Sequence, residues 1–314
     1  MVYGEGAKAV EALLKESGFA VSQICQSRPS CFDFAARKGE NLILIRVQRD
    51  IDNLSPGDSS ELSEISRSIS ATSLLISENA REKPLEEDTV YSRYNVSAVT
   101  QKTFENIVSR KAYPLIQAGP GGYYVEIDGP AIRRRRQELG LSVGKIAEMS
   151  AISRRTIYGY ERGMAKASVT AAYNLMSTLG IPVAKPVNVF ERSTKERKCL
   201  LLTKAKRVIA RNRLLTKIFQ KFAHCGISAF RKAPFDFVIT VSQDKMRIIG
   251  GVANTAEPDL EMRADEILSL CRVVQAHPVL ITDGQELANR SMPCIQSDEF
   301  SNLKNPEDLI HSIT

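Results

Sequence analysis

Two short helices joined by a tight turn are the feature of this chain that most restricts its fold. Ser142 stands where a side chain can cap a helix, and Ile146 and Met149 follow on what should be one apolar face. The small residues 150–152 predict the turn, and Ser153 is placed to cap the second helix. The spacing therefore predicts a compact helical module near the middle of the chain.

The second helix carries residues suited to reading DNA. It opens with Arg154 and Arg155, turns Ile157 inward, and is followed by Gly163 where a glycine commonly ends a helix. A helix that enters a major groove by its amino end can place an arginine against O6 and N7 of guanine. The order of these residues therefore predicts a base-reading helix.

The segment from about 132 to about 182 resembles the lambda-repressor/Cro (XRE) type of helix-turn-helix domain. The resemblance is carried by Leu139-Gly140-Leu141-Ser142, Ile146-Ala147, Ala151-Ile152-Ser153, Ile157, Glu161, Gly163 and Leu179-Gly180-Ile181. The family commonly has a phosphate-contacting Gln at the start of the first motif helix, where this chain has Val143. The resemblance implies a five-helix domain that binds an operator in double-stranded DNA as a homodimer.

On this resemblance we expect ten residues to contact DNA. They are Ser153, Arg154, Arg155, Thr156, Tyr158, Gly159, Arg133, Arg134, Ser142 and Lys145. The arginines of the opening helix should hold phosphates and fix register, because that helix crosses the DNA backbone. Residues 133–136 are four consecutive arginines, and successive residues turn by about 100° around a helix, so some of them must face solvent or pair with Glu138 or Glu161.

The distribution of charge agrees with a central DNA-binding element. The net charge is +7, but residues 130–221 alone carry +16, which leaves −9 on the rest of the chain. A basic middle between acidic ends is expected when only the middle meets phosphate. The basic segment 191–221 either adds non-specific phosphate contacts or is a solvated helix face, and the sequence favours neither.

The two ends of the chain look like copies of one domain. Phe32-Asp33-Phe34 recurs as Phe235-Asp236-Phe237, and each copy precedes a β-rich run, 41–47 or 245–252. The matching elements that follow are an amphipathic helix (Leu62, Ile65 and Ile69; Ile267, Leu270 and Val274), a buried strand (74–77; 279–282) and a helical tail (103–108; 305–310). The sequence therefore predicts a multidomain α/β plus all-α protein, with domains at 1–120, 130–188 and 195–314 and with the third a repeat of the first.

Each end resembles the core of the restriction-endonuclease-like and Holliday-junction-resolvase fold. Asp33 and Asp236 stand in place of that fold's hairpin aspartate. Metal-dependent cleavage also requires a Glu-x-Lys on the next strand, but this chain has Arg46-Val47-Gln48 in one copy and Gly250-Gly251-Val252 in the other. We therefore expect inactive scaffolds or dimerisation domains, with no catalytic residue, no metal site and no cofactor.

The joint before the helical module, the cysteines and the apolar runs show no sign of a further functional site. Residues 117–130 read as a flexible joint followed by a short strand. The six cysteines are scattered without a CxxC pair, which is typical of buried thiols in a reducing compartment. No apolar run is long enough to span a membrane and no signal-peptide pattern opens the chain, so a cytoplasmic protein is expected.

The order of flank, central helix-turn-helix and second flank resembles an archaeal family of helix-turn-helix transcriptional regulators. It implies a sequence-specific regulator of transcription that is not an enzyme, although the sequence identifies neither the operator nor a small-molecule effector. Two alternatives stay open. One is a metal-dependent nuclease or resolvase targeted by the central domain, and the other is an architectural DNA binder with little sequence preference.

Overall fold

The chain forms two compact units. The computed structural model describes residues 3–191, 213–222, 225–241, 246–253, 257–284, 287 and 291–302. The first unit comprises Met1–Arg49, Asn53–Leu75 and Phe190–Thr314, and the second comprises Asp50–Asp52 and Ile76–Val189. Within the described ranges, no helix is both long enough and apolar enough to cross a membrane.

The amino-terminal part of the first unit is a small α/β assembly. Its elements are α1 (Tyr3–Glu16), β1 (Ala20–Val21), β2 (Phe34–Lys38), β3 (Asn41–Val47), a 3-10 turn (Ile51–Asn53), α2 (Pro56–Ile69) and β4 (Thr72–Ile76). The strands lie in the order β1-β2-β3-β4, and β2 and β3 form an antiparallel hairpin with Phe34 opposite Ile45. The three apolar residues predicted for α2 are all buried, as the amphipathic pattern requires.

The second unit joins a sheet to the central helices. Its elements are β5 (Asn79–Ala80), β6 (Lys83–Pro84), β7 (Thr89–Arg93), β8 (Val96–Val99), α3 (Gln101–Arg110), β9 (Ile116–Gly119), β10 (Gly122–Val125), α4 (Gly129–Glu138), α5 (Val143–Ser150), α6 (Arg154–Glu161), β11 (Ala167–Ser168) and α7 (Val169–Leu179). The sheet order in this unit is β8-β7-β9-β10-β11. β11 is followed directly by α7, so the edge strand of this sheet is continuous in sequence with the last helix of the helical module.

Two expectations for this region were wrong. The helical module has four helices rather than five, because the described residues 180–191, which include Pro182 and Pro186, form no helix, and Ala184 is bridged to Ile127 instead. The predicted flexible joint is the β9–β10 hairpin, in which Gly119 lies opposite Gly122. Its turn uses two glycines at positive φ.

The core of the helical module contains the apolar residues that the helical period selects, with one exception. Ile132, Ile146, Ile157 and Leu175 are fully buried in one cluster. Met149, which was expected on the inner face of α5, is instead 50% exposed. Gly129 sets how closely α4 can approach α6, because a Cβ there would lie 2.2 Å from the carbonyl oxygen of Tyr160.

The carboxy-terminal part of the first unit forms a second sheet. Its elements are α8 (Arg213–Lys221), β12 (Gly226–Ala229), β13 (Phe237–Val241), β14 (Met246–Ala253), α9 (Leu260–Val274), β15 (His277–Thr282), β16 (Cys294–Gln296) and α10 (Ser297–Asn302). The strand order is β12-β13-β14-β15-β16, with β14 and β15 parallel. The tail helix expected at 305–310 lies outside the described residues, as do residues 192–212 of the basic segment.

The two parts of the first unit contact each other through two glutamates. Glu266 Oε1 of α9 accepts hydrogen bonds from the backbone N–H groups of Gln26 and Ser27, at 2.6 and 2.8 Å. In the opposite direction, Glu61 Oε1 of α2 accepts them from the backbone N–H groups of Arg231 and Lys232. Each part therefore uses one carboxylate to accept two backbone N–H groups from a loop of the other part.

Two arginines add contacts at the ends of the same helices. Arg37 of β2 donates to the carbonyl oxygens of Val273 and Val274 at the end of α9. In the reverse direction, Arg247 of β14 donates to the hydroxyl of Ser70, which ends α2, at 2.6 Å. A cation suits the carboxyl end of a helix, where the last carbonyl groups lack partners within the helix.

An ion pair holds α4 against α6. Arg136 donates to both carboxylate oxygens of Glu161, at 2.6 and 3.0 Å, and Arg136 also donates to the carbonyl oxygen of Leu141. The two side chains are only 13% and 7% exposed. The hydrogen bonds to Glu161 raise the pKa of Arg136 above its ordinary value, which keeps the guanidinium charged.

We predict that Arg136→Ala lowers the free energy of unfolding by about 3–5 kcal/mol, because it leaves the buried Glu161 carboxylate without its partner. The matched control is Arg133→Ala on the exposed side of α4, which should change stability by less than about 0.5 kcal/mol. Urea denaturation of the full chain measures both. Equal midpoints for the two variants would contradict this role of the pair.

Candidate nucleic-acid interface

Serine side chains begin both helices of the predicted motif. The Ser142 hydroxyl accepts the backbone N–H of Lys145, and the Ser153 hydroxyl accepts that of Thr156, each at 3.1 Å. Ala151, in the turn, takes a left-handed φ of 55° and ends α5. The predicted caps are confirmed, and the caps fix the start of α6 relative to α5.

One face of α6 is open to solvent. Arg154, Arg155 and Tyr158 are exposed, Gly159 is half-buried, and the opposite side of the helix buries Ile157. Residues three and four positions apart are neighbours on a helix surface, so Tyr158 adjoins both arginines, Gly159 adjoins Arg155, and the four form a continuous surface. A Cβ at position 159 would meet only the Cβ of Ala165 at 3.9 Å, so this surface has free space beside Tyr158.

Arg154 lies over the first turn of α5. Its Nη2 atom would be 3.0 Å from a Cβ at position 144, so Gly144 provides the space that the guanidinium occupies. That turn begins at Val143. The sequence alone did not single out Gly144, because a glycine within a short helix has no distinctive pattern.

The other predicted contact residues fall into two groups. Arg133 and Arg134 are exposed on α4, whereas their neighbours Arg135 and Arg136 pair with Glu138 and Glu161. On α5, Lys145 forms an exposed ion pair with Glu148 at 3.1 Å, which solvent screens and which leaves the lysine accessible. The Thr156 hydroxyl bonds that of Ser153 at 2.8 Å, within the cap.

The amino-terminal candidate carboxylate is held by an arginine. Asp33 precedes β2, and its backbone N–H bonds the carbonyl oxygen of Ile45. Its Oδ1 accepts from Arg46 at 2.9 Å and its Oδ2 from the backbone N–H of Val47 at 2.6 Å. Burial raises the pKa of this carboxyl above its usual value, and Arg46 offsets only part of that effect.

The carboxy-terminal candidate carboxylate is held by two arginines. Asp236 Oδ1 accepts from Arg28 at 2.9 Å, while Oδ2 accepts from Arg263 and from the backbone N–H of Val252. Arg263 is only 1% exposed and also pairs with Glu257 at 2.7 Å. Sequence reasoning missed both arginines. A charged residue on the apolar face of α9 was the available signal for Arg263.

The two hairpins can be compared through one hydrogen bond. The backbone N–H of Asp33 bonds the oxygen of Ile45, and that of Asp236 bonds the oxygen of Gly250. The residue that follows the accepting carbonyl is Arg46 in one hairpin and Gly251 in the other, so these hydrogen bonds place Arg46 and Gly251 at corresponding positions. Arg263 Nη2 lies 3.2 Å from where a Cβ of Gly251 would stand, and so replaces the missing strand side chain.

These surroundings do not fit a divalent metal ion. Such an ion needs at least two carboxylates facing a shared space, whereas both oxygens of Asp33 and of Asp236 are bound by arginines and backbone N–H groups. Among the residues that the structure describes, no group of three His, Cys, Asp or Glu side chains could hold a metal. A guanidinium occupies the position where a cation would bind.

The described cysteines differ in their exposure to solvent. Cys31 and Cys271 are buried, and burial raises the pKa of each thiol well above its ordinary value. Cys294 is exposed, contrary to the expectation that all six would be buried. Cys199 lies outside the described residues.

Two family models match the chain. Residues 5–114 match the PD-(D/E)XK superfamily domain, and residues 132–185 match a helix-turn-helix domain. The first match agrees with the expected likeness of the amino-terminal flank to nucleases. The second match covers α4 to α7. A solved structure titled "SinR protein/SinI protein complex" is 21% identical over 31% of this chain and 90% of that chain, with a TM-score of 0.16.

Several archaeal proteins match the chain over nearly its whole length. A protein of Methanocaldococcus jannaschii is 31% identical over 96% of this chain and 93% of its own, and one of Methanocella arvoryzae is 33% identical over 96% and 92%. A protein of Archaeoglobus fulgidus is 30% identical over 98% and 97%. Each is named "Putative HTH-type transcriptional regulatory protein". The chain therefore belongs to this archaeal family of helix-turn-helix transcriptional regulatory proteins.

Proposed function

We propose that the protein is a sequence-specific regulator of transcription that places α6 in the major groove of an operator. The observation that carries the proposal is the exposed surface of Arg154, Arg155, Tyr158 and Gly159 on a helix whose start is fixed by a cap. The names of the relatives support the same role. The operator is a two-fold site bound by a homodimer, with two copies of α6 about 34 Å apart.

The residues divide between reading bases and holding phosphates. Arg155 and Tyr158 read base edges from the exposed side of α6. Arg154 takes over the phosphate contact that Val143 cannot make, because its guanidinium rests on Gly144 at the start of α5. The remaining backbone contacts come from Arg133 and Arg134 of α4, from Ser142 and Lys145 of α5, and from the Ser153–Thr156 cap.

A second candidate function is metal-dependent cleavage of DNA, which the PD-(D/E)XK match favours. We propose instead that the flanks are catalytically silent. Arginine neutralises both Asp33 and Asp236, so neither carboxylate is free to bind a metal ion. The arginine comes from a strand in one flank, Arg46, and from a helix in the other, Arg263. Among the residues that the structure describes, neither flank offers a shared pair of free carboxylates for the cation that activates water in this fold.

We further propose that the carboxy-terminal flank is a repeat of the amino-terminal one and that the two pair about a local two-fold axis. Glu61 and Glu266 are 205 positions apart in the sequence. The loops whose N–H groups they accept, 231–232 for Glu61 and 26–27 for Glu266, are also 205 positions apart. Contacts in which each copy uses the same residue against the same loop of the other are typical of a two-fold interface. The domain division at 1–120, 130–188 and 195–314 follows from this proposal.

The DNA-reading proposal predicts different losses for Arg155→Ala and Arg134→Ala. On a site selected from random duplexes, Arg155→Ala should weaken binding by about 1–3 kcal/mol and relax one or two base preferences, with little effect on scrambled DNA. Arg134→Ala should weaken binding to both duplexes alike and reduce the salt slope by about one. Fluorescence anisotropy at several salt concentrations measures all four affinities.

Two outcomes would contradict that division of roles. Equal losses on selected and scrambled DNA for Arg155→Ala would remove Arg155 as a base reader. A wild-type protein that binds both duplexes with equal affinity at every salt concentration would favour the architectural alternative. Arg154→Ala should behave like Arg134→Ala, which separates a phosphate contact from a base contact on adjacent residues.

The silent-flank proposal predicts that the full chain leaves duplexes and four-way junctions intact with Mg²⁺ or Mn²⁺, and that calorimetry detects no tight divalent-ion site. Arg46→Ala is the sharper variant, because it frees the Asp33 carboxylate without supplying the second carboxylate that a metal requires. It too should not cleave. Cleavage by the wild type that Asp33→Ala or Asp236→Ala abolishes would establish the nuclease alternative.

The repeat proposal predicts matched losses of stability for Glu61→Gln and Glu266→Gln. Each removes the charge from a carboxylate that accepts two backbone N–H groups, so each should lower the free energy of unfolding by about 1–3 kcal/mol. Glu16→Gln, at an exposed position, is the control and should have no measurable effect. A loss for one glutamate without a comparable loss for the other would argue against two equivalent contacts.

A further inference from the structure

The second unit contains an apolar cavity of about 510 Å³ next to the helix-turn-helix. One wall is the face of α7 that carries Val169, Tyr173 and Met176, and another is the segment after α3 with Leu115. All four side chains are large, apolar and exposed, from 39% to 68%. Such a cluster on a protein surface commonly marks a binding site, and the volume is that of a small-molecule pocket.

Polar groups stand along one side of this cavity. Asn106 of α3 lines it, and its side-chain oxygen is buried without a hydrogen-bond partner in the part of the chain that the structure describes. Its Nδ2 atom is 3.4 Å from Oδ1 of Asp88, another lining residue. Arg110 also lines the cavity, one helical turn beyond Asn106 on the same side of α3.

The chemistry of these groups defines a ligand. The side-chain oxygen of Asn106 has almost no surface open to the cavity in its present rotamer, and leaving it without a donor is costly, so a bound molecule that donates a hydrogen bond to it is favoured once the amide turns toward the cavity. The carboxylate of Asp88 beside it favours a donor with a positive charge, while Arg110 favours a carboxylate. The apolar walls accept a bulky hydrocarbon or aromatic group.

We infer that this cavity is a binding site for a small zwitterion with a large apolar side chain, the chemistry of a free apolar α-amino acid. The ammonium group is held by Asn106 and Asp88, the carboxylate by Arg110, and the side chain lies against α7. This inference concerns a region distinct from the DNA-reading surface and is measured without DNA, so its failure would leave the proposed function untouched.

The chain has no tryptophan, which makes L-tryptophan a convenient probe because all indole fluorescence comes from the ligand. Titration of the full chain should give saturable binding at one site. Tryptamine, which lacks the carboxylate, and indole-3-propionate, which lacks the ammonium group, should each bind about tenfold more weakly. L-leucine should displace L-tryptophan.

Variants identify the site. Arg110→Gln should weaken L-tryptophan about tenfold and leave tryptamine unchanged, and Asn106→Leu should weaken L-tryptophan and leave indole-3-propionate unchanged. Lys102→Gln, on the same helix and outside the cavity lining, is the matched control and should bind like the wild type. Circular dichroism and thermal unfolding check that each variant is folded.

Three results would overturn the inference. The first is no saturable binding of any of the four probes up to about 5 mM, since a specific site should bind more tightly than that. The second is an unchanged affinity for L-tryptophan in both Arg110→Gln and Asn106→Leu. The third is self-association in sedimentation experiments that Tyr173→Ser weakens and L-tryptophan leaves unaffected, which would assign the apolar surface to a second copy of the chain.

Discussion

Pairing between arginine and carboxylate decides what each cationic side chain in this protein can do. Arg136 donates to both carboxylate oxygens of Glu161 from one edge of its guanidinium and to the carbonyl oxygen of Leu141 from Nη1, so it stabilises the helical module and is unavailable to DNA. Arg154 and Arg155 lie on an exposed face, where phosphate and base edges are the partners that suit a guanidinium. In the flanks, Arg46 and Arg263 bind the carboxylates of Asp33 and Asp236, which a metal ion would need as ligands. The same side-chain chemistry thus stabilises the helical module, leaves two arginines exposed on α6, and holds the buried carboxylates of Asp33 and Asp236.

The buried carboxylates of Asp33 and Asp236 are each held by arginine. An isolated buried carboxylate is costly, so in flanks that are catalytically silent, as proposed, a positive charge from the protein has to offset that cost. Two different solutions occur in one chain. In the amino-terminal flank the strand itself supplies Arg46, whereas in the carboxy-terminal flank Gly251 leaves space on the strand that Arg263 fills from a helix. Arg28 reaches the second carboxylate from the other flank, which ties that carboxylate to the contact between the two flanks.

Local features of the fold could be predicted from the sequence, whereas pairings between distant residues could not. The caps at Ser142 and Ser153 and the glycine after α6 depend on residues within one turn, so their signals are local. The predicted burial of Met149 was wrong because two apolar residues three positions apart do not decide which edge of an apolar stripe a neighbouring helix covers. The β9–β10 hairpin was missed because its glycine-rich turn was assigned to a joint rather than to paired strands. The contacts of Arg28 and Glu266 join residues more than 200 positions apart, which no local pattern reports.

The position of α7 connects the apolar cavity to α5 and to the turn before α6. One face of α7 lines the cavity, while its other side packs Leu175 into the cluster that contains Ile146 of α5. The side-chain amide of Asn174 also donates to the carbonyl oxygen of Ser150, at the end of α5 where the turn into α6 begins. A molecule that fills the cavity therefore contacts α7, the helix that hydrogen-bonds the turn between α5 and α6. Such a molecule could act on that turn without contacting DNA itself. If occupancy of the cavity changes the affinity for DNA, then DNA must change the affinity for the ligand by the same factor, because the two binding free energies are linked through one protein.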